Sequence, residues 1–473
     1  MPPHTRKPSP ATANSKPKRC AMPFIQNTPD DQREMLAAVG VKSLDELFEG
    51  IPAELRLKGP LAVAAGISED SLWKELKQLA SWNSSGAGGS FLGAGMYRHY
   101  YPQVVDALQG RQEFVTAYTP YQPEAGQGTL TAFFEFQTMI AELCGLEVAN
   151  ASMYDGCSAA AEAVIMAANL TRKRRRVVVS RGVHPHTRRT LKTYLEWTGL
   201  ECIEVPLGED GKTKWADLVD ADCCALLVQS PNTLGVIEDT SAAAKLARDA
   251  GAISIQSVYP ISLGLLKSPG EAGFDIAVGE GQSLGIPTAC GGPSFGLFAT
   301  KQSFVRKMPG RIVGQTEDSQ GRRGFALTFQ TREQHIRRAK ATSNICTNNA
   351  LMALRGAIYL AAAGAEGLRE VASHSLAKAQ YAAVEIESLG GFSLRHTSDA
   401  CFNEFVVDCP VPAAEVNRAI DAAGMIGGFE IGRWYPELGP KALLLAFTEL
   451  SSRDQIHSLL RAMDSCKSRI PVG

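Results

Sequence analysis

The turn MYDGCSAA, residues 153–160, leaves a predicted strand and enters an alanine-rich helix. The free N–H groups and the positive dipole end of such a helix are suited to hold a phosphate group. Ser158 either helps to bind that phosphate or simply caps the helix, and the pattern fits both interpretations about equally well. Cys157 would need a basic partner to act as a nucleophile, so we interpret it as a structural thiol.

His184 and His186 flank a proline in a loop that follows the predicted strand 177–180. Ligands of α/β sheets bind where the strands end, which makes His184 a candidate for a site. Two histidines at this spacing suit a metal, but no third His, Cys or carboxylate has a convincing spacing, and we predict no metal site. The basic run at 172–176 is interpreted as a solvated helix end.

A glycine-rich turn lies between two predicted strands, with DIAVGEGQSLGIP at 275–287 and CGGPSFG at 290–296. It resembles the turn that carries the Schiff-base lysine in pyridoxal phosphate (PLP) enzymes of the aspartate-aminotransferase fold. Gln282 stands where that lysine is expected, and an amide cannot form the imine on which the cofactor depends. The resemblance therefore implies an enzyme component that lacks a catalytic centre of its own.

Helices and strands alternate through the middle of the chain. The predicted helices are 129–143, 158–170, 187–198 and 240–250, and the predicted strands are 149–153, 177–180, 201–205, 225–229 and 252–256. That order implies a mostly parallel sheet covered by helices. With the turn at Gln282, the expected fold class is α/β, aspartate-aminotransferase-like (fold type I PLP-dependent transferase), with a smaller α+β carboxy-terminal domain.

We predict four regions along the chain. Residues 1–22 are rich in proline and basic residues and contain no acid, which is typical of a disordered extension. A helical arm at 23–112 precedes the large domain at 113–329. The smaller domain, 330–473, holds predicted helices at 347–363, 373–389 and 413–423 and predicted strands at 402–407 and 443–447.

Composition excludes several classes of protein. The 473 residues are 45% hydrophobic, enough to bury at least one large core. A formal net charge of −1 favours neither nucleic acid nor an anionic membrane, and no apolar run approaches the roughly 20 residues of a spanning helix. The 11 cysteines contain no C-x-x-C pair, which favours reduced thiols in a cytosolic chain. We expect a cytoplasmic bacterial protein, or a mitochondrial one if the basic extension is a transit peptide.

Two segments combine tyrosines with glycines, prolines and amides: GAGMYRHYYP at 93–102 and YTPYQPEAGQG at 118–128. Loops of this kind more often form interfaces or site walls than cores. Together with TREQHIRR at 331–338 and KATSNICTN at 340–348, they resemble the amino-terminal half of the glycine-cleavage P protein, glycine dehydrogenase (decarboxylating). The resemblance runs from about Met22 to the carboxy terminus.

In that family the P protein is one long chain of two similar halves or a pair of separate subunits, and only the second half or subunit holds PLP. A length of 473 residues fits a lone first subunit. Gln256 stands where the PLP-bearing half has an acid, so nothing would keep the pyridine nitrogen protonated. Lys267 and Lys301 are the rival lysines, and both are predicted to lie at the surface.

The resemblance implies the reaction: with a PLP-bearing subunit 2, glycine is decarboxylated and its aminomethyl group passes to the lipoyl group of H protein. It also implies a heterotetramer with two copies of each subunit, and T and L proteins as further partners in glycine cleavage. PLP is expected on the partner subunit, not covalently on this chain, and neither nucleic acid nor a membrane is expected as a partner.

Because the cofactor of this fold lies at a subunit interface, we expect this chain to supply walls and binding groups but no catalytic residue. The candidates are Tyr97, Tyr118, Tyr121, Gln122 and Glu124 at the interface or substrate site, Thr347 and Asn348 as donors to the cofactor phosphate, and Ser158, His184, Gln256 and Gln282 in a vestigial pocket.

Three alternatives remain open at this stage. The tyrosines pack a subunit contact without approaching a substrate, since interfaces favour tyrosine in general. The chain is an autonomous PLP lyase that uses another lysine. Or it is a non-catalytic assembly or regulatory subunit.

Overall fold

The computed structural model describes residues 27–59, 61–83, 88–115, 117–215, 218–341 and 343–466. The chain divides into two compact units, residues 1–83 and 84–473. The disordered extension predicted for residues 1–22 lies outside the described residues. The predicted arm spans the division between the units, and the predicted domain boundaries stay predictions.

The first unit is helical. It contains α1 (Pro29–Val39) and α2 (Glu69–Ser81), and no residue of either helix is buried. Thr28 and Ser68 begin these helices by accepting hydrogen bonds from the N–H groups of their first turns. Local capping, more than packing, therefore defines these helices.

The second unit is built on a seven-stranded sheet with the order β1-β7-β6-β5-β4-β2-β3. The strands are β1 (Val148–Ala149), β2 (Arg176–Ser180), β3 (Glu201–Val205), β4 (Cys223–Ser230), β5 (Ile253–Val258), β6 (Ile276–Glu280) and β7 (Gly296–Thr300). Strands β2 to β6 are parallel, whereas β7 pairs antiparallel with both β6 and β1. This confirms the mostly parallel sheet that the sequence predicts.

Helices cover both faces of this sheet. They are α3 (Gln103–Gln109), α4 (Gln127–Cys144), α5 (Gly156–Thr171), α6 (Pro185–Leu195), α7 (Thr240–Ala250) and α8 (Pro269–Ala272). The short helix α9 (Gln334–Arg337) lies further along the chain and is exposed. Alternate residues of a strand point to opposite faces, so Val177 and Val179 of β2 pack in one core with α5, while Val178 packs in another with α7. Burial on both faces explains the unbroken apolar runs 177–179 in β2 and 225–228 in β4.

A second, antiparallel sheet forms near the carboxy terminus, with the order β10-β11-β13-β12. Its elements are β10 (Ser393–Leu394), β11 (Glu404–Asp408), α11 (Ala413–Ala422), β12 (Phe429–Glu430), β13 (Ala442–Ala446) and α12 (Arg453–Asp464). Phe405, Leu443 and Ile456 belong to its core. A hairpin of β8 (Ile312–Glu317) and β9 (Arg323–Thr328), which the sequence did not predict, precedes this region.

The helix α10 (Ala350–Ser388) links the two sheets. It consists of two helical stretches that meet at a kink at Gly364, with φ 61° and ψ −176°. The two helices predicted at 347–363 and 373–389 are thus confirmed, except that the first begins at Ala350 and the second begins directly after the kink. By length and composition alone it could cross a membrane, a test that core helices also pass. Its first half contributes to the core beneath the large sheet and its second half to the carboxy-terminal core. We interpret it as a core helix.

Candidate functional site

The candidate site lies at the edge where the parallel strands of the large sheet end. Because β2 and β6 are parallel strands of one sheet, the loops that follow them emerge at the same edge. His184 follows β2 and Gln282 follows β6. Both contact residues 93–97, which we call the inserted segment.

Gln282 is held by the backbone of the inserted segment. Its side chain is 1% exposed, and its Oε1 accepts a hydrogen bond from the Tyr97 N–H at 3.0 Å. Its Nε2 donates to the carbonyl oxygens of Tyr97, at 3.0 Å, and Ile286, at 2.7 Å. Both of its amide hydrogens are thus used in structural bonds, and the residue that replaces the expected lysine fixes two chain segments together.

His184 contacts the same segment. Its Nε2 donates to the carbonyl oxygen of Ala94 at 3.0 Å, and its Nδ1 accepts from the His186 N–H at 3.2 Å. Burial lowers the pKa of His184 to about 4, more than the bond to Ala94 raises it, so the imidazole is neutral near pH 7. His184 is therefore a neutral donor that orders the inserted segment. In the part of the chain that the structure describes, no group of three His, Cys, Asp or Glu residues could hold a metal.

Glu404, the first residue of β11, completes the environment of the inserted segment. Its carboxyl accepts hydrogen bonds from the Tyr97 hydroxyl and, at 3.0 Å, from the Ala94 N–H. Burial raises the pKa of Glu404 to about 7, against the lowering effect of these two bonds. Sequence reasoning missed this residue, although a lone acid at the start of an apolar strand is a recognisable signal.

Tyr97 also packs against a buried hydrogen-bonded chain. Its ring lies 4.6 Å from the ring of Tyr259, whose hydroxyl bonds to Nε2 of His99. Nδ1 of His99 lies 2.6 Å from Oε2 of Glu449. Burial raises the pKa of Tyr259 well above its ordinary value, so its hydroxyl keeps its proton. These contacts extend the anchoring of the inserted segment beyond Tyr97, up to His99.

Ser158 and its neighbours satisfy the amino terminus of α5. Ser158 N–H donates to Asp155 Oδ1 at 2.7 Å and Asp155 N–H donates to Ser158 Oγ at 3.2 Å, which is a capping box. Gly156 N–H donates to Oε2 of Glu280 at 3.1 Å, and Ser294 donates to the same carboxyl. Two acidic side chains thus occupy the helix end at which the sequence suggested a phosphate.

Gln256 lies buried in β5, paired with Val228 of β4 on one side and Ala277 of β6 on the other. Its Oε1 has no hydrogen-bond partner among the described residues. Within those residues, neither Ser158 nor Gln256 hydrogen-bonds to Gln282 or to the inserted segment. Of the four pocket candidates, the structure therefore links only His184 and Gln282 through a common segment.

The interface candidates differ in exposure. Tyr118 is 83% exposed, Tyr121 is 50% exposed, and Gln122 and Glu124 are exposed as well. Tyr97, in contrast, is buried against Glu404. Their roles at a shared interface stay predictions.

The two phosphate candidates lie in the loop before α10. Thr347 N–H donates to the Tyr154 hydroxyl at 3.4 Å, and Asn348 Nδ2 donates to the Ala151 carbonyl oxygen. Arg311, which sequence reasoning missed, donates to the hydroxyl of Tyr121 at 3.0 Å and contacts Oδ1 of Asn348 at 3.5 Å. Two separately predicted segments therefore meet at one buried arginine.

The rival lysines lie elsewhere. Nζ of Lys301 is 2.5 Å from Oδ1 of Asp275, the residue before β6, and the five residues of β6 place roughly 17 Å of strand between that pair and the turn at Gln282. Lys267 is exposed and donates to Ser241 at 3.3 Å. Neither amine contacts the candidate site.

Comparison with known sequences identifies relatives over most of the chain. The family model described as "Glycine cleavage system P-protein" matches residues 22–463. A "Probable glycine dehydrogenase (decarboxylating) subunit 1" of Brevibacillus brevis is 49% identical over 446 residues, which are 93% of this chain and 98% of the relative. A protein of Geotalea daltonii with the same description is 48% identical over 446 residues, 94% of this chain and 100% of the relative.

Solved structures give the same picture. "Crystal structure of glycine decarboxylase (P-protein) of the glycine cleavage system, in inhibitor-bound form" superposes with a TM-score of 0.86 at 46% identity, over 94% of this chain and 100% of that chain. A sphingosine-1-phosphate lyase of Burkholderia pseudomallei, at 16% identity and a TM-score of 0.61 over 88% of this chain and 94% of that chain, shares the fold only. The predicted fold type I class is confirmed. The chain belongs to the glycine cleavage system P-protein family.

Proposed function

We propose that this chain is the subunit of a two-subunit P protein that does not carry PLP. With a PLP-bearing partner it decarboxylates glycine and transfers the aminomethyl group to the lipoyl group of H protein. The descriptions of its relatives as subunit 1 support this proposal, as does their nearly complete coverage by the chain. T and L proteins would then act on the products, and the assembly would contain two copies of each subunit.

The main observation behind this proposal is the side-chain amide of Gln282 and its hydrogen bonds. An amide offers no amine for an imine, and this amide is already bonded to the backbone of Tyr97 and Ile286. Gln256 is neutral and cannot hold a pyridine nitrogen protonated. Asp155 and Glu280 already use N–H groups at the start of α5, and a phosphate there would face both carboxyls. These residues do not fit PLP, and no chemical step on this chain is assigned to it.

The proposed contribution of the chain is structural. Tyr118, Tyr121, Gln122 and Glu124 are exposed in the Pro-rich loop before α4, where a partner can reach them. Thr347 and Asn348 are half-buried in the loop before α10. We propose that these two loops form the wall that this chain contributes to the partner's active site. An autonomous lyase is less well supported, because Lys267 and Lys301 lie away from the candidate site.

The compartment follows from the same proposal. The relatives named above are bacterial, and we propose a cytoplasmic location. A mitochondrial location would depend on a transit peptide in residues 1–22.

The deciding experiment is to purify the chain alone, its PLP-bearing partner alone and the two after co-expression. Glycine-dependent release of CO2 with lipoylated H protein should appear only in the mixture. After borohydride treatment, mass spectrometry should find reduced PLP attached to a lysine of the partner and not to this chain. A PLP adduct on the lone chain, together with glycine-dependent release of CO2 by that chain, would contradict the proposal.

A further inference from the structure

Arg311 connects two loops that come from distant parts of the sequence. The residue directly precedes β8, and its side chain is 6% exposed. Its Nη2 donates to the hydroxyl of Tyr121 at 3.0 Å, and its guanidinium lies over that ring, 5.4 Å from the centroid. Its Nη1 lies 3.5 Å from Oδ1 of Asn348. One planar guanidinium thus contacts both loops that the proposed function assigns to the shared wall.

A third loop meets the same group. Glu333 is buried, with Oε2 3.9 Å from Nε of Arg311 and 3.5 Å from Nδ1 of His335. The ring of His335 packs edge-on to Tyr121 at 6.0 Å. Among the described residues, neither Nε of Arg311 nor Oε1 of Glu333 has a hydrogen-bond partner. The arginine is therefore not neutralised by a close bidentate pair, and its best hydrogen bond is the one to Tyr121.

The contacts of Arg311 with Tyr121 and Asn348 matter because both of these residues lie in irregular segments. Tyr121 and Asn348 lie in segments without helix or strand, so backbone hydrogen bonds of regular elements do not fix their relative positions. A guanidinium presents its donors in a rigid plane, and it can hold two acceptors at a set separation, whereas a lysine ammonium cannot. Arg311 itself is anchored, because its carbonyl oxygen accepts from the Ala151 N–H at 2.8 Å.

We propose that Arg311 is a positioning residue, which sets Tyr121 relative to Asn348 on the wall that this chain contributes to the partner's active site. This inference rests on the proposed function. Arg311 acts through Tyr121 and Asn348 and does not itself touch substrate. Tyr121 stays half exposed while its hydroxyl is held, so its ring can contact the partner.

The test uses the co-expressed two-subunit enzyme with Arg311→Met, Arg311→Lys, Tyr121→Phe and the double variant Arg311→Met/Tyr121→Phe. Arg332→Met is the matched control: Arg332 also adjoins Glu333, but it donates to the carbonyl oxygens of Phe329 and Gly310 and not to Tyr121 or Asn348. The readouts are kcat and KM for glycine, together with assembly by size-exclusion chromatography.

We expect Arg311→Met to assemble and to lower kcat by about tenfold or more with a smaller change in KM. Arg311→Lys should restore part of that loss. The double variant should be no worse than Arg311→Met, because both changes remove the same contact. Arg332→Met should leave kcat within about twofold of the wild type, since it removes a cation without touching the two loops.

A kcat for Arg311→Met within twofold of the wild type would overturn the inference, as would losses that simply multiply in the double variant. If Arg311→Met does not assemble, Arg311→Lys and Tyr121→Phe decide the question, and an unchanged kcat in both overturns it. An inactive wild-type mixture would refute the proposed function, and the inference with it. An active wild type with an unaffected Arg311→Met refutes the inference alone.

Discussion

The side chain of Gln282 and the backbone of Tyr97 exchange two hydrogen bonds, each 3.0 Å long. The pairing resembles one rung of a β-ladder in which a side-chain amide replaces a peptide group. It joins a turn after a central strand to a segment 185 residues earlier in the chain. Gln282 therefore has a structural role at this turn, because its amide joins the end of β6 to the inserted segment.

Gln282→Lys should destabilise the chain and should not make it a PLP enzyme. An ammonium has no acceptor for the Tyr97 N–H, which would stay buried and unpaired, and a buried charge would be added. An unsatisfied buried donor alone costs about 1–3 kcal/mol in the free energy of unfolding. Thermal unfolding of the purified chain measures this effect, and mass spectrometry after treatment with PLP and borohydride measures covalent capture.

Gln302→Lys is the matched control for that variant, because Gln302 is exposed. It should leave the unfolding temperature nearly unchanged. If Gln282→Lys is as stable as Gln302→Lys, the amide bridge has no energetic importance. If Gln282→Lys captures PLP, the pocket is less closed than the hydrogen bonds of the inserted segment indicate.

Gly95→Ala tests how closely the inserted segment packs on His184. Gly95 has φ of +100°, and a Cβ there would lie 3.0 Å from Cδ2 of His184. Backbone strain and the steric contact together should lower the free energy of unfolding by roughly 1–3 kcal/mol. Gly128→Ala is the opposite case: a Cβ in α4 would meet nothing within 4 Å, so that variant should be neutral or more stable by up to about 1 kcal/mol. Denaturant unfolding should show that Gly95→Ala is clearly less stable than Gly128→Ala, and a harmless Gly95→Ala would contradict the close packing.

The sequence predicted the fold and drew attention to the turn at Gln282, but it did not predict the contacts that surround this turn. The alternation of helix and strand predicted the parallel sheet, and the glycine-rich turn located Gln282, because both signals are local. Glu404 and Arg311 were missed, since their roles depend on contacts with residues 307 positions away, at Tyr97, and 190 positions away, at Tyr121. Periodicity carries no information about such contacts. Tyr97 was singled out by its Gly- and Tyr-rich segment and by the family resemblance, and neither distinguishes an exposed tyrosine such as Tyr118 from one buried against a carboxyl.

Glu404 should make stability depend on pH near neutrality. Burial raises its pKa from an ordinary 4.5 to about 7, so between these values the folded chain keeps a proton that the unfolded chain has lost. Its contribution to the free energy of unfolding is full below about pH 4.5 and is lost as pH rises through 7, a change on the order of 3 kcal/mol. Urea unfolding at pH 5, 6, 7 and 8 measures this change in the free energy of unfolding, because these pH values roughly cover the range between the two pKa values.

Glu404→Gln is the control for that titration, because an amide stays neutral and can keep one contact each with Tyr97 and Ala94. Relative to this variant, the wild type should lose stability as pH rises. His184 has the opposite effect, because its lowered pKa makes the folded chain less stable as pH falls from 6.5 towards 4. The free energies of unfolding of wild type and Glu404→Gln are therefore compared at the same pH, where the contribution of His184 is equal in both. Parallel pH profiles for wild type and Glu404→Gln would show that Glu404 is ionised throughout.

Neither PLP nor inorganic phosphate should stabilise the lone chain. A ligand that binds only the folded state at about 100 times its dissociation constant raises the free energy of unfolding by about 2.7 kcal/mol, which a calorimeter resolves easily. Asp155 and Glu280 already accept hydrogen bonds at the start of α5, and a phosphate there would lie beside both carboxyls. The PLP-bearing partner, heated under the same conditions, should show a clear rise in unfolding temperature with PLP. A saturable rise in the lone chain would mean that another group of this chain binds the phosphate, and that the two carboxyls do not exclude it.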